Sequence, residues 1–146
     1  MTGPCDDLRV LDLSSGPVGG LATMVLADFG ADVIKIERPG GDPTRSQAAA
    51  PMWLRGKRSA VLDLRTTEGQ GQLHRLARGA DVVVASFEPG HAKRYGADAE
   101  TLRALNPGLV YCSITGWGPN GPLAHYPANE HVVAAKTGRM LSFYGF

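Results

Sequence analysis

The order of features in the first forty residues limits the fold more than anything else in this chain. Arg9-Val10-Leu11-Asp12-Leu13 is strand-like, Ser14 to Gly20 is a glycine-rich turn, Gly20 to Asp28 is helical, and Asp32-Val33-Ile34-Lys35-Ile36-Glu37 is a second strand. Strand, turn, helix, strand at this spacing implies a parallel pair joined by a right-handed crossover. The same order puts backbone N–H groups and a helix N-terminus at the carboxyl end of a strand, where α/β folds hold phosphorylated ligands. Arg38 follows the second strand to that edge.

The pattern then repeats. Leu21, Met24, Val25 and Leu26 give the first helix an apolar face, and Gly30 closes it. Pro39-Gly40-Gly41-Asp42-Pro43 breaks regular structure, and Thr44 to Met52 reads as a loop. Arg58 to Leu64 is a third strand. Thr66 or Thr67 caps a helix over 68–78, which Gly79 stops. Asp81 to Ser86 is a β-branched strand covered on both faces. Phe87-Glu88-Pro89-Gly90 is a turn, residues 92–95 a short helix, and Asp98 caps a helix over 99–105. Leu109 to Ile114 is a fifth strand, Gly116 to Pro122 a glycine and proline loop, and Asn129 to Arg139 a last helix before the apolar tail Leu141 to Phe146. The fold expected is α/β: a mostly parallel, Rossmann-like sheet with helices on both faces.

A chain of 146 residues fits one domain, residues 1–146, and can bury about 70% of its unfolded surface. A net charge of +1 gives no global field for nucleic acid or membrane. The charge is uneven, however. Six basic residues (Lys35, Arg38, Arg45, Arg55, Lys57, Arg58) and two acids, Glu37 and Asp42, lie between positions 35 and 58, which implies a local positive patch. Two distant cysteines, Cys5 and Cys112, suit a reducing cytoplasm. The N-terminus carries no signal-peptide pattern, no apolar run is long enough to span a bilayer, and no Cys/His spacing suggests a metal.

Several residues are candidates for holding an anion, each with a plainer reading beside it. The turn at Gly16 to Gly20 lacks G-x-G-x-x-G spacing and serves equally as a tight strand-to-helix reversal. Glu37 resembles the ribose-binding acid of a nicotinamide fold, whereas Arg38 could read a ribose phosphate, or the two form a surface pair. Arg55-Gly56-Lys57-Arg58 is either a phosphate-binding cluster or a solvated basic turn. Phe87 can flank a planar base or pack in a loop, and Arg94 adds a cation. Glu130 is a candidate acid or base, or an acid that complements a helix N-terminus.

Taken together, Val10-Leu11-Asp12-Leu13 with Gly16-Pro17, the run from Ala22 to Gly40, Arg55 to Ser59 with Leu62-Asp63-Leu64, Ala80 to Val84, Phe87 to Gly90, Leu105-Asn106-Pro107 and Tyr111 to Gly118 resemble the N-terminal part of family III CoA-transferases, the group that also contains α-methylacyl-CoA racemases. The resemblance implies a domain that binds coenzyme A or acyl-CoA as substrate, without a metal. By motif position Val18 lies near the CoA entrance, Arg38 meets the nucleotide phosphates with Lys57 and Arg58 nearby, and Phe87 and Arg94 line the adenosine side. Intact members have a second domain, form interlocked homodimers and use an aspartate that has no counterpart here. The chain is therefore expected to need a homodimeric or complementary C-terminal partner for catalysis, with Glu130 in a supporting role and Gly116 to Gly121 shielding the intermediate. Racemases carry Gly-His-Asp where this chain has Ala128-Asn129-Glu130, which favours a transferase. A racemase-like protein and a non-catalytic CoA-binding or oligomerisation module are the alternatives. The partners implied are an acyl-CoA and a carboxylate, not nucleic acid or membrane.

Overall fold

Five strands alternate with helical crossovers in the order the sequence sets. The computed structural model describes residues 3–142. The strands are β1 (Arg9–Leu13), β2 (Asp32–Glu37), β3 (Lys57–Val61), β4 (Val82–Ala85) and β5 (Val110–Ser113). They form one sheet in the order β3-β2-β1-β4-β5, and every neighbouring pair is parallel. Strand order reverses between β1 and β4, so a crevice opens there at the carboxyl edge. A division between Ile114 and Thr115 separates this unit from a second compact one.

Side chains alternate across the strands. Leu11, Leu13, Ile36, Val83 and Ala85 join a core with Leu73 and Ala77 of α3 (Thr67–Ala77) and Leu102 of α5 (Ala99–Leu105). Val10, Val33 and Val84 face the other way, against Leu26 and Ala27 of α1 (Pro17–Asp28). Helices thus cover both faces, as expected.

Local chemistry sets the helix ends. Thr66 accepts the Gly69 N–H and starts α3, and Asp98 accepts the Thr101 N–H at 3.0 Å and starts α5. The helix α1 begins at Pro17, three residues before the expected Gly20. Gly16 turns the chain at φ +78°, and Pro17 fits the first helical position because its missing N–H would have no partner there. Gly19 and Gly20 therefore lie inside α1, where they permit close packing. A Cβ on Gly19 would run into the Ser14 side chain, and one on Gly20 would stand 2.8 Å from the Trp53 ring.

Two expectations need correcting. The segment 44–52 is not a plain loop. It holds a tight turn at Pro43–Ser46, capped by Asp42, and part of α2 (Ala50–Leu54), which seats the buried Trp53 against α1. Five residues are too few to show helical periodicity. The third strand ends at Val61, short of Leu64. The Leu62 N–H still donates to the Glu37 carbonyl, but the Thr66 N–H bonds back to Asp63 and turns the chain toward α3.

In the second unit, α6 spans Glu130–Lys136. Asn129 caps it, accepting the Val132 N–H at 3.0 Å, and Gly138 at φ +76° ends it three residues before the expected Arg139. The last four residues of the expected tail lie outside the described residues.

Candidate functional site

At the carboxyl edge of the sheet, the segments leaving β1, β2, β3 and β4 enclose a cleft of about 620 Å³. That size suits a ligand with the bulk of a small cofactor. Ser14 and Ser15 form its floor beyond β1, and Arg38 to Gly40 form one wall beyond β2. Asp63, Leu64 and Arg65 follow β3, and Phe87 and Glu88 follow β4. His91 and Tyr95, on and just after α4 (His91–Arg94), complete the rim.

The basic patch expected between residues 35 and 58 does not exist as a free positive surface. Lys35 lies buried between Asp12 and Asp42. Arg45 forks onto Glu37, Arg55 onto Asp28, and Arg58 onto Asp32. Lys57 donates to Asp12 Oδ2 at 2.9 Å, to the Gly20 carbonyl at 2.8 Å and to Thr23 Oγ1 at 2.6 Å. Of the six cations only Arg38 has neither a carboxylate nor a hydrogen-bond partner among the described residues. It is exposed and lines the cleft. An unpaired guanidinium offers five donors in a planar fork, the geometry that phosphate oxygens accept.

Lys57 and Arg58 are therefore not beside Arg38. Adjacent residues on a strand point to opposite faces. Lys57 turns under α1, where its side chain is 1% exposed, and burial pulls its pKa below the ordinary lysine value while Asp12 opposes the shift. Arg58 reaches the amino end of the sheet, beside Asp32, Arg9 and Arg75. The other candidates are spread as well. Phe87 lines the cleft, whereas Val18 is exposed in the first turn of α1 and Arg94 is exposed on α4, both outside the lining. In the second unit Glu130 opens α6, exposed, 3.2 Å from Arg139.

Glu37 also faces the cleft, but its carboxylate is already engaged. It accepts the Asp42 N–H and Arg45 Nε, both at 2.8 Å, together with Ser59 Oγ at 2.7 Å. The Arg45 hydrogen bond, against the opposing effect of burial and helped by Ser59 and Asp42, lowers its pKa to about 2. No lone pair is left in good position for a ribose hydroxyl, so the structure removes the nicotinamide reading of this residue.

Sequence reasoning missed three members of the rim. Phe87 and Tyr95 meet edge to face with centroids 5.8 Å apart, and His91 tilts against Tyr95 at 5.9 Å, which makes an aromatic wall. Gly90, at φ +81°, turns the chain so that α4 starts at once and brings Tyr95 back to Phe87. Arg65 is the third. It forks onto Asp63 through Nε at 2.8 Å and Nη2 at 2.7 Å and leaves its outer face exposed. Its place just after a strand's carboxyl end was the available signal.

Comparison with known proteins is decisive at this point: the description of CoA-transferase family III matches residues 5–145. The chain belongs to that family. It is similar to the succinate–glutarate CoA-transferase of Agrobacterium fabrum, 43% identical over 94% of this chain and 38% of the relative. The formyl-CoA:oxalate CoA-transferase of Streptomyces avermitilis is 39% identical over 100% of this chain and 37% of the relative. A crystal structure of Rv3272 from Mycobacterium tuberculosis superposes with a TM-score of 0.87 at 41% identity, covering 99% of this chain and 42% of that one. The chain thus spans about two fifths of the length of these proteins. A short chain dehydrogenase/reductase family protein matches at TM-score 0.54 and 20% identity, which shows a shared fold alone.

Proposed function

We propose that residues 1–146 act as the CoA-binding domain of an enzyme that moves coenzyme A between acyl-CoA thioesters and carboxylic acids. The observation that carries this reading is the lone uncompensated Arg38 on a cleft whose opposite wall is the Phe87–Tyr95–His91 group. A diphosphoadenosine group has the matching parts. Its phosphates take the guanidinium, and its flat base takes the aromatic wall. The relatives named as CoA-transferases support the same chemistry.

In the route the family resemblance implies, a carboxylate attacks the thioester carbonyl. The carbon–sulfur bond breaks, CoA leaves as thiolate, and a mixed anhydride forms. On this reading the attacking aspartate comes from outside these residues, in one polypeptide, a homodimer or a complementary chain. This chain's own contribution is to bind and orient the carrier. A cytoplasmic setting suits the free thiols of Cys5 and Cys112.

Calorimetry tests the proposal with CoA, dephospho-CoA and three forms of the chain. Arg38→Ala is expected to weaken CoA binding about 10- to 100-fold, the loss of one charge-assisted contact. Arg58→Ala, at the other edge, is expected to leave binding unchanged. Equal affinity of wild type and Arg38→Ala for both ligands sinks the assignment.

A further inference from the structure

A buried lysine at the root of the cleft has no part in the reading above. Lys35 sits in β2 with its side chain 3% exposed. Its ammonium donates to the Ser14 carbonyl and stands 3.2 Å from Asp42 Oδ2 and 3.7 Å from Asp12 Oδ1. Ser14 and Asp42 both line the cleft, one where the chain leaves β1, the other where the turn begun by Arg38 ends.

That turn is held by its own backbone, by Glu37 and by Asp42. The Gly41 N–H closes it on the Arg38 carbonyl at 2.8 Å, through Gly40 and Gly41 at φ +90° and +86°. The Asp42 N–H donates to Glu37 Oε2, and Asp42 Oδ1 accepts the Thr44 N–H at 2.8 Å and its hydroxyl at 2.7 Å. Asp42 Oδ2 is buried, and the cation in ion-pair contact with it is Lys35, at 3.2 Å. Arg38 has no side-chain partner of its own, so the backbone turn alone sets where its side chain starts. A buried carboxylate without a nearby cation is expensive to keep charged.

We infer that Lys35 is a positioning residue for Arg38: by compensating Asp42 and gripping the Ser14 carbonyl, it fastens the Arg38–Asp42 turn to the end of β1. For its ligand this inference rests on the CoA-binding reading. The fastening itself is a property of the free chain. A compact ammonium suits the task, because it donates to the Ser14 carbonyl while its charge faces the Asp42 and Asp12 carboxylates.

Two measurements on the full chain separate these levels. The first is amide hydrogen exchange without ligand, in Lys35→Met and in the milder Asp42→Asn, which keeps the Thr44 acceptor but removes the charge facing Lys35. Exchange at Gly41 and Asp42 is expected to quicken about tenfold or more, with Val83 and Val84 changed less than about twofold. Unchanged exchange at Gly41 and Asp42, or uniform acceleration across the sheet, overturns the inference. Should Lys35→Met fail to fold, Asp42→Asn decides. The second measurement is CoA affinity in two backgrounds. Asp42→Asn is expected to weaken binding about 5- to 10-fold in the wild type and less than about twofold in Arg38→Ala. An equal loss in both backgrounds shows a merely structural role and overturns it. Absence of CoA binding together with the expected local exchange removes the CoA reading and leaves Lys35 as the fastener.

Discussion

On the α3–α5 side of the sheet, Leu11, Leu13, Ile36, Val83 and Ala85 pack in one apolar cluster with Leu73, Ala77 and Leu102. On the α1 side the same strands contribute Val10, Val33 and Val84, but also Asp12, Lys35, Glu37 and Lys57. The first face draws its stability from apolar area removed from water. The second holds charges whose partners lie on β1, β2, β3, α1 and the turn after β2. Burial works against the Asp12 charge, yet Lys35, Ser14 and Lys57 together still hold its pKa below the ordinary aspartate value. Such a network supplies little area. What it supplies is placement, because each charge is tolerated only while its partners stay put. The cleft residues Ser14, Glu37 and Asp42 belong to this second face, so the charge network runs up to the candidate site.

The largest effect should come from the centre of the polar face. Asp12→Ala strands Lys35 and Lys57 without their shared carboxylate and is expected to cost about 3–5 kcal/mol in urea unfolding. A loss under about 1 kcal/mol would break the contrast, since the charges would then be independent of one another.

Leu102→Ala probes the apolar face and should cost about 2–5 kcal/mol with an unchanged m-value. The sharpening measurement is local. Leu102→Ala should leave exchange at Gly41 and Asp42 tracking global stability, whereas polar-face variants should change them selectively.

Acid should act mainly on the polar face. The Glu37 pKa is lowered from 4.5 to about 2, so the stability it contributes is complete above pH 4.5 and lost as pH falls from there toward 2. The Arg45 side chain that holds it is half exposed, so water screens the pair and the contribution is about 1–2 kcal/mol. Glu37→Gln should flatten the stability curve over that range, and an unchanged curve counts against the assignment.

The smallest effect is expected at the opposite edge. Arg58 and Asp32 are both well exposed, and Arg58→Ala should cost less than about 1 kcal/mol by thermal unfolding.

Much of the fold was legible because its signals are local. Thr66 and Asp98 cap helices where a helix N-terminus needs acceptors, and the Val82–Ala85 run is continuous because both its faces are covered. The site was legible in part. Arg38 and Phe87 follow strand ends, and the topology carries both to one edge. Lys57 and Arg58 misled because a basic cluster in sequence says nothing of which face each residue takes. Tyr95 and Arg65 were missed because their roles depend on turns at Gly90 and Asp63 that fold them back toward the cleft.

Sequence by itself determined the parallel alternation, the boundaries of the helices other than α2 to within a few residues and the family membership, since periodicity, caps and glycine turns act over a few positions. Tertiary structure alone decided which charges are spent and which remain. Asp12 and Lys57 are 45 positions apart, and only the register of β1, β2 and β3 brings them within 2.9 Å. Ion pairs depend on distance in space, so Arg38, the one cation left open on the cleft among the described residues, could be recognised only after the sheet had paired the rest.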